Sequence, residues 1–273
     1  MPRFSANLSF LFPDVPFLDR FAEAADAGFR AVEFAFPYEF PTADLVERVR
    51  ARNLEVVLIN APPGDLRQGD RGTASLAGRE HEFAADFEKA LRYARALRCP
   101  RVHVMAGVVT ADADPAVMAA RRADQRARFV RNMREACREA ATQGVTLLIE
   151  ALNPRDVPDY LFSTQAEAHA LRQEIDAPNA KVQMDLYHAQ MVEGGLADKL
   201  RRYLPNVGHL QIAGVPGRHE PDVGEINYAY LFKLIDDLGY AGWIGCEYRP
   251  LGSTAAGLGW LYRLLDRRPA TTA

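Results

Sequence analysis

At 273 residues, with 48% hydrophobic and 25% charged side chains, the chain can bury a full core and is not of a disordered, fibrous or membrane-spanning class. A net charge of -3 lacks the basic footprint of phosphate-tracking proteins, so a small-molecule partner is expected and nucleic acid and membrane surfaces are not. Cys99, Cys137 and Cys246 are odd in number and far apart, unlike a secreted disulfide scaffold; with no secretory signal in the opening residues, a cytoplasmic setting is expected.

Short apolar runs alternate with amphipathic stretches from one end of the chain to the other. A first strand is expected over 3–9, followed by a helix whose apolar face carries Phe17, Leu18, Phe21 and Ala25 and which stops at Gly28. The second and third strands are expected over 31–36 and 55–60. Residues 61–72 are too rich in Gly, Pro and charge to be helical and read as a long loop. A helix displaying Phe83, Phe87, Leu91 and Ala94 precedes a fourth strand over 101–106 and a shorter loop over 107–115. Phe129, Met133, Cys137 and Ala140 mark the next helical face, ended by Gly144. Four more strands are expected over 145–150, 180–185, 207–211 and 243–247. Between them, Thr164 and Glu167 form a capping box, residues 216–225 form a second long loop, and Tyr228, Leu231, Phe232 and Ile235 define a helix ended by Gly239. Residues 266–273 read as a frayed tail.

Strand and helix alternating over the whole length require a parallel sheet, and eight units of roughly 34 residues suit a single α/β domain, a closed (β/α)8 TIM barrel. A doubly wound open sheet is the alternative. It usually brings a glycine-rich phosphate loop after the first strand, and residues 7–14 contain no glycine.

The last four strand runs each end at a polar residue: Glu150, Asp185, Gln211 and Glu247. A buried strand tolerates such a group only where its end meets solvent, a partner or a metal. Any one alone could cap a helix, but four at matching positions in successive units point to a shared site. Three converging carboxylates repel unless a cation or a shared proton holds them. An all-oxygen set suits Mg2+ or Mn2+ better than Zn2+.

The segments Phe4-Ser-Ala-Asn-Leu-Ser9, Gly28-Phe-Arg-Ala-Val-Glu33, Gly78-Arg-Glu-His-Glu-Phe83, Leu148-Ile-Glu150, Asp185-Leu-Tyr-His188, His219-Glu-Pro221, Gly224-Glu-Ile-Asn-Tyr228 and Gly242-Trp-Ile-Gly-Cys-Glu-Tyr248 together resemble the hydroxypyruvate isomerase family, nearly end to end. That family belongs with xylose-isomerase-like barrels, beside 2-oxotetronate isomerases and ketose 3-epimerases. The resemblance implies a divalent metal held by Glu150, Asp185, Gln211 and Glu247, with Glu150 and Glu247 also exchanging base and acid roles. Ketose 3-epimerases carry histidine at the fourth ligand position, so Gln211 leans toward the hydroxypyruvate or 2-oxotetronate branch.

Moving a carbonyl between adjacent carbons through an enediolate needs a base, an acid and positive charge near both oxygens. His188, three residues beyond Asp185, is a candidate hydrogen-bond donor to substrate, and Arg218 a candidate carboxylate clamp. Asn60 and Arg71 are weaker candidates for substrate contact. His209, two residues before Gln211, is expected to fill the barrel layer below the site or to support Gln211; Glu33 and Asn7 read as polar barrel filler, and His81 and His169 as solvated helix residues. Cys246 should face the helices.

The expected function is therefore interconversion of hydroxypyruvate and tartronate semialdehyde, or of a 2-oxotetronate pair, by a chain in which a homo-oligomer is compatible with the sequence. A ketose 3-epimerase, a metal-dependent barrel endonuclease and a non-catalytic sugar binder are the alternatives.

Overall fold

In the computed structural model, which describes residues 2–266, the eight apolar runs become eight parallel strands that close in sequence order into a barrel. β1 (Arg3–Asn7) pairs with β2 (Ala31–Phe34) on one side and with the last strand, Trp243–Cys246, on the other. Between them run β3 (Glu55–Asn60), β4 (Arg101–His103), β5 (Thr146–Glu150), β6 (Ala180–Asp185) and β7 (Val207–Ile212), and the closing strand is β8. The doubly wound alternative is excluded by the closure.

Helices lie between the strands, α1 (Arg20–Asp26), α2 (Thr42–Ala51), α3 (Glu80–Leu97), α4 (Pro115–Ala141), α5 (Gln165–Ile175), α6 (Leu186–Val192), α7 (Leu196–Tyr203) and α8 (Tyr228–Asp237), and after the last strand, α9 (Thr254–Gly257) and α10 (Gly259–Asp266). The capping box at α5 forms as expected, with Thr164 and Glu167 bonded reciprocally. Gly28, Gly144 and Gly239 all take the left-handed backbone that ends a helix without a Cβ clash. Asp266 ends α10, and the rest of the expected tail, 267–273, lies outside the described residues. No helix among the described residues is long and apolar enough to cross a membrane.

Four strands end sooner than their apolar runs suggest, β2 at Phe34 and β8 at Cys246 as well as β1 and β4. β1 stops at Asn7 because its side-chain oxygen accepts from Ser9 N and its carbonyl from Phe10 N and Leu11 N, turning the chain. β4 stops at His103: Val104 N makes one last bond to Leu148 of β5, and beyond it the backbone turns to loops, Ala106 donating to the Tyr160 hydroxyl and accepting from Ser75 N.

Alternation along each strand divides the side chains into two shells. Outward residues such as Phe34, Val102, Ile149, Met184, Ile212, Ile244 and Cys246 join Phe21, Phe87, Phe129 and Met133 of the helices in one large apolar core. Inward residues are mostly polar: Ser5, Asn7, Glu33, His103, Glu150, Gln183, Asp185, His209 and Gln211 are all buried. A small separate apolar cluster of Ala31, Val57, Leu58 and Leu148, with Trp243 against it, fills the other end of the barrel. His169 corrects the sequence reading: it is 7% exposed and stacked on Tyr203, with ring centroids 4.1 Å apart. His81 is exposed, as expected.

Candidate active site

Glu150 and Asp185 end β5 and β6, Gln211 lies one residue before the end of β7, and Glu247 follows β8 directly. Pairing in register sets Asp185 beside Gln211 and Glu150 beside Gln183, so these side chains meet at the C-terminal mouth of the barrel, where loops that follow strands build active sites.

A chain of amides joins the two glutamates. Gln183 Nε2 donates to Glu150 Oε2 at 2.9 Å and to Gln211 Oε1 at 2.7 Å. Gln211 Nε2 then donates to Glu247 Oε2 at 2.6 Å and to Glu33 Oε1 at 2.8 Å. Asn7 Nδ2 joins at Glu247 Oε2, 2.8 Å away. Gln183 lies within an apolar run, and its one signal in the residues is its place two positions before Asp185, on the same strand face.

Asp185 is fully buried and caps α6, its Oδ1 accepting from Tyr187 N at 2.8 Å. Its Oδ2 faces Arg218 at 3.4 Å and His188 Nε2 at 3.8 Å. Ligand atoms of Glu150, Asp185 and His188 lie within 4.8 Å of one another, a buried group able to hold a metal. Glu150 Oε1 is buried with no hydrogen-bond partner among the described residues, as expected for an oxygen meant for a cation.

His188 is oriented differently from a ligand. Its Nδ1 accepts from Asn153 N at 3.1 Å, so in the neutral ring Nε2 carries the proton and offers a donor to the site. Burial, Arg218 and His103 hold its pKa well below the usual histidine value, keeping it neutral. His103 stands 3.6 Å from Glu150 Oε2 and is pushed down to about 3 by burial and by His209.

Arg218 is 12% exposed and lies between the rings of Phe10 and Tyr187, at 5.0 and 4.9 Å from their centroids. It donates to Glu247 Oε1 at 2.5 Å and stands 3.7 Å from Asp156. Asp156, absent from the sequence reading, also accepts from the Tyr187 hydroxyl at 3.0 Å and Asn153 Nδ2 at 3.1 Å. The structure brings His188 and Arg218 to the four rim residues but does not tie in the other two candidates. Asn60 sits beside His103 in register, its N–H donating to the Ala35 carbonyl and its carbonyl accepting from the Tyr38 hydroxyl. Arg71 bonds carbonyls of its own loop, Leu66 and Asp70.

Burial raises all three rim carboxyls. Glu247 is pushed up to about 8 by burial, opposed by Arg218 and reinforced by Asp185 and Glu33. Asp185 is pushed up to about 6, chiefly by burial, with Arg218 opposing. Glu150 rises well above the carboxylate range through burial and repulsion from Glu247 and Asp185. Groups held near neutrality in this way can both take and release a proton, and a cation among them would restore their charge. Two raised carboxyls joined through amides, a neutral donor and a buried guanidinium make an arrangement suited to moving protons on a small anionic substrate.

A family model described as a xylose isomerase-like TIM barrel matches residues 21–264. The chain is similar to a 2-oxo-tetronate isomerase of Cupriavidus necator, 54% identical over 98% of this chain and 100% of that one. It is similar to the hydroxypyruvate isomerase of Escherichia coli, 42% identical over 96% and 98%. Among solved structures, a Brucella melitensis protein described as an AP endonuclease of family 2 superposes with a TM-score of 0.91 at 45% identity, covering 96% of this chain and 99% of that one.

Proposed function

The chain belongs to the xylose isomerase-like TIM-barrel family, and from that premise we propose that it moves a carbonyl between C2 and C3 of a short hydroxy-oxo acid. The observation that carries this reading is the pair Glu150 and Glu247, joined through Gln183 and Gln211, with the buried Arg218 guanidinium against Glu247.

2-Oxotetronate and hydroxypyruvate share the reacting unit, a carboxylate at C1 next to a C2 carbonyl and a C3 hydroxyl. The isomerisation takes a proton from C3, returns one to C2, and shifts the hydroxyl proton from O3 to O2. One of Glu150 and Glu247 removes the C3 proton and the other supplies the C2 proton, their roles exchanging with direction. Mg2+ or Mn2+ held by Glu150, Asp185, Glu247 and Gln211 Oε1 would supply positive charge for the negative charge that develops on O2 and O3. His188 Nε2–H donates to a substrate oxygen, while Arg218, released from Glu247 as the anion enters, pairs with the C1 carboxylate. Asn60 and Arg71 are left as more distant contacts.

We rank 2-oxotetronate ahead of hydroxypyruvate, the reverse of the order expected from the residues, on the support of the names of the relatives at 54% and 42% identity. The Brucella protein's description raises the endonuclease reading, but a net charge of -3 gives no support for tracking a phosphate backbone.

The test is a substrate panel of 2-oxotetronate, hydroxypyruvate, ketohexoses and an abasic duplex, run on chelator-treated protein with and without added Mg2+ or Mn2+. Metal-dependent turnover of either acid is expected. Turnover confined to ketohexoses moves the assignment to an epimerase, and cleavage confined to the duplex moves it to a nuclease.

A further inference from the structure

Below the mouth, Glu33 of β2 is fully buried on the barrel axis, and four donors converge on its two oxygens. Oε2 accepts from Ser5 Oγ at 2.8 Å and faces His209 Nε2 at 2.7 Å. Oε1 accepts from Gln211 Nε2 at 2.8 Å and Asn7 Nδ2 at 3.2 Å. The same two amide nitrogens also donate to Glu247 Oε2. Each NH2 group has two hydrogens, and both are therefore assigned, one to Glu33 and one to Glu247.

An ionised carboxylate only accepts, so with Glu33 beneath it the Gln211 carboxamide has one favourable orientation, nitrogen toward Glu33 and Glu247 and oxygen away from them. With the amide reversed, its oxygen would face two carboxylates and its nitrogen would face the Gln183 donor. Gly245 of β8 keeps this place open, since a Cβ there would fall 2.2 Å from Glu33 Oε1.

We propose that Glu33 is a positioning residue, which through Gln211 and Asn7 fixes the carboxamide oxygen and the Glu247 carboxylate for cation binding at the mouth. It touches neither substrate nor the reacting atoms. The proposal rests on the metal-dependent reading above, and the experiment separates the two.

Chelator-stripped protein is titrated with Mn2+ by calorimetry, with melting temperature measured in parallel. Wild type that binds no Mn2+ defeats the underlying reading and this inference with it. Given wild-type binding, Glu33→Gln puts an NH2 where only acceptors stood and is expected to weaken Mn2+ affinity about 10- to 100-fold, the usual range for a residue supporting a ligand. The loss should largely vanish in a Gln211→Ala background, because the effect passes through that amide. Affinity within about threefold of wild type, or the same loss in both backgrounds, overturns the proposal; the threefold limit is well below the usual range for such residues. Should Glu33→Gln not fold, Asn7→Ala leaves the Glu33 charge in place and is expected to weaken Mn2+ by about an order of magnitude. Undiminished affinity in that variant overturns the proposal equally.

Discussion

Glu33 occupies the space that a side chain at position 245 would need, a Cβ on Gly245 lying 2.2 Å from Glu33 Oε1 and 2.6 Å from its Cδ. Glu33 cannot withdraw without leaving Ser5, His209, Asn7 and Gln211. Gly245→Ala is therefore expected to destabilise the fold by about 1–3 kcal/mol, the range for overpacking a closed interior. Thermal denaturation checks this, and an unchanged melting temperature would mean that the strands separate easily at this point.

Replacing either proton-carrying carboxyl should remove turnover without unfolding the barrel. Glu150→Gln and Glu247→Gln keep side-chain size while ending proton transfer, and kcat is expected to fall about 10²- to 10⁴-fold. Circular dichroism should stay at wild-type values. Near-full activity in either variant sinks the two-glutamate mechanism.

Arg218 offers a separate measurement. Arg218→Met keeps the stacking volume between Phe10 and Tyr187 but removes the charge. With a charged hydrogen bond worth roughly 1.5–3 kcal/mol, KM for a carboxylate substrate should rise about 10- to 100-fold. If KM stays at the wild-type value, the anion is bound elsewhere.

The pH dependence of the metal-free protein has a defined sign. Glu247 at about 8 and Asp185 at about 6 are raised above their unfolded values, so their stabilisation is present at low pH and is lost as pH climbs through those values. Below about pH 6.5, the ordinary histidine value, the depressed His103 and His188 act oppositely, because the unfolded chain takes up protons there first. Between roughly pH 6.5 and 8 only the carboxyls act, and stability without metal should fall as pH rises. Added Mn2+ should flatten the slope and release protons at pH 7, measurable by calorimetry in buffers of different ionisation enthalpy. A flat or rising profile in chelator would show that these carboxyls are already ionised.

Most of the barrel was legible in the residues because outward-facing strand positions are apolar and helix faces repeat every third or fourth residue. Glu150, Asp185, Gln211 and Glu247 stood out for the same reason, as polar ends to apolar runs. What escaped notice lies where polarity has no local partner. Gln183 sits inside an apolar run, and Glu33 reads only as barrel filler because its partners come from strands far away in sequence: Glu33 meets His209, 176 residues on. Asp156 lies in a loop whose path no periodicity reports. His169 departs from the solvated position expected of it because a helix residue can be covered by a neighbouring helix, here through Tyr203 of α7. Strand ends shifted where side chains and loops captured the next backbone groups, as Asn7 does after β1.

The two-shell arrangement of the barrel separates its tasks between adjacent residues. Ile149 anchors β5 in the apolar core while Glu150 faces the site, and Cys246 and Glu247 divide the end of β8 in the same way. Holding the wall together falls to one parity of each strand and chemistry to the other. Inward substitutions can therefore redirect reactivity with little effect on sheet–helix packing, whereas sliding a strand by one residue would exchange the two faces and lose both at once.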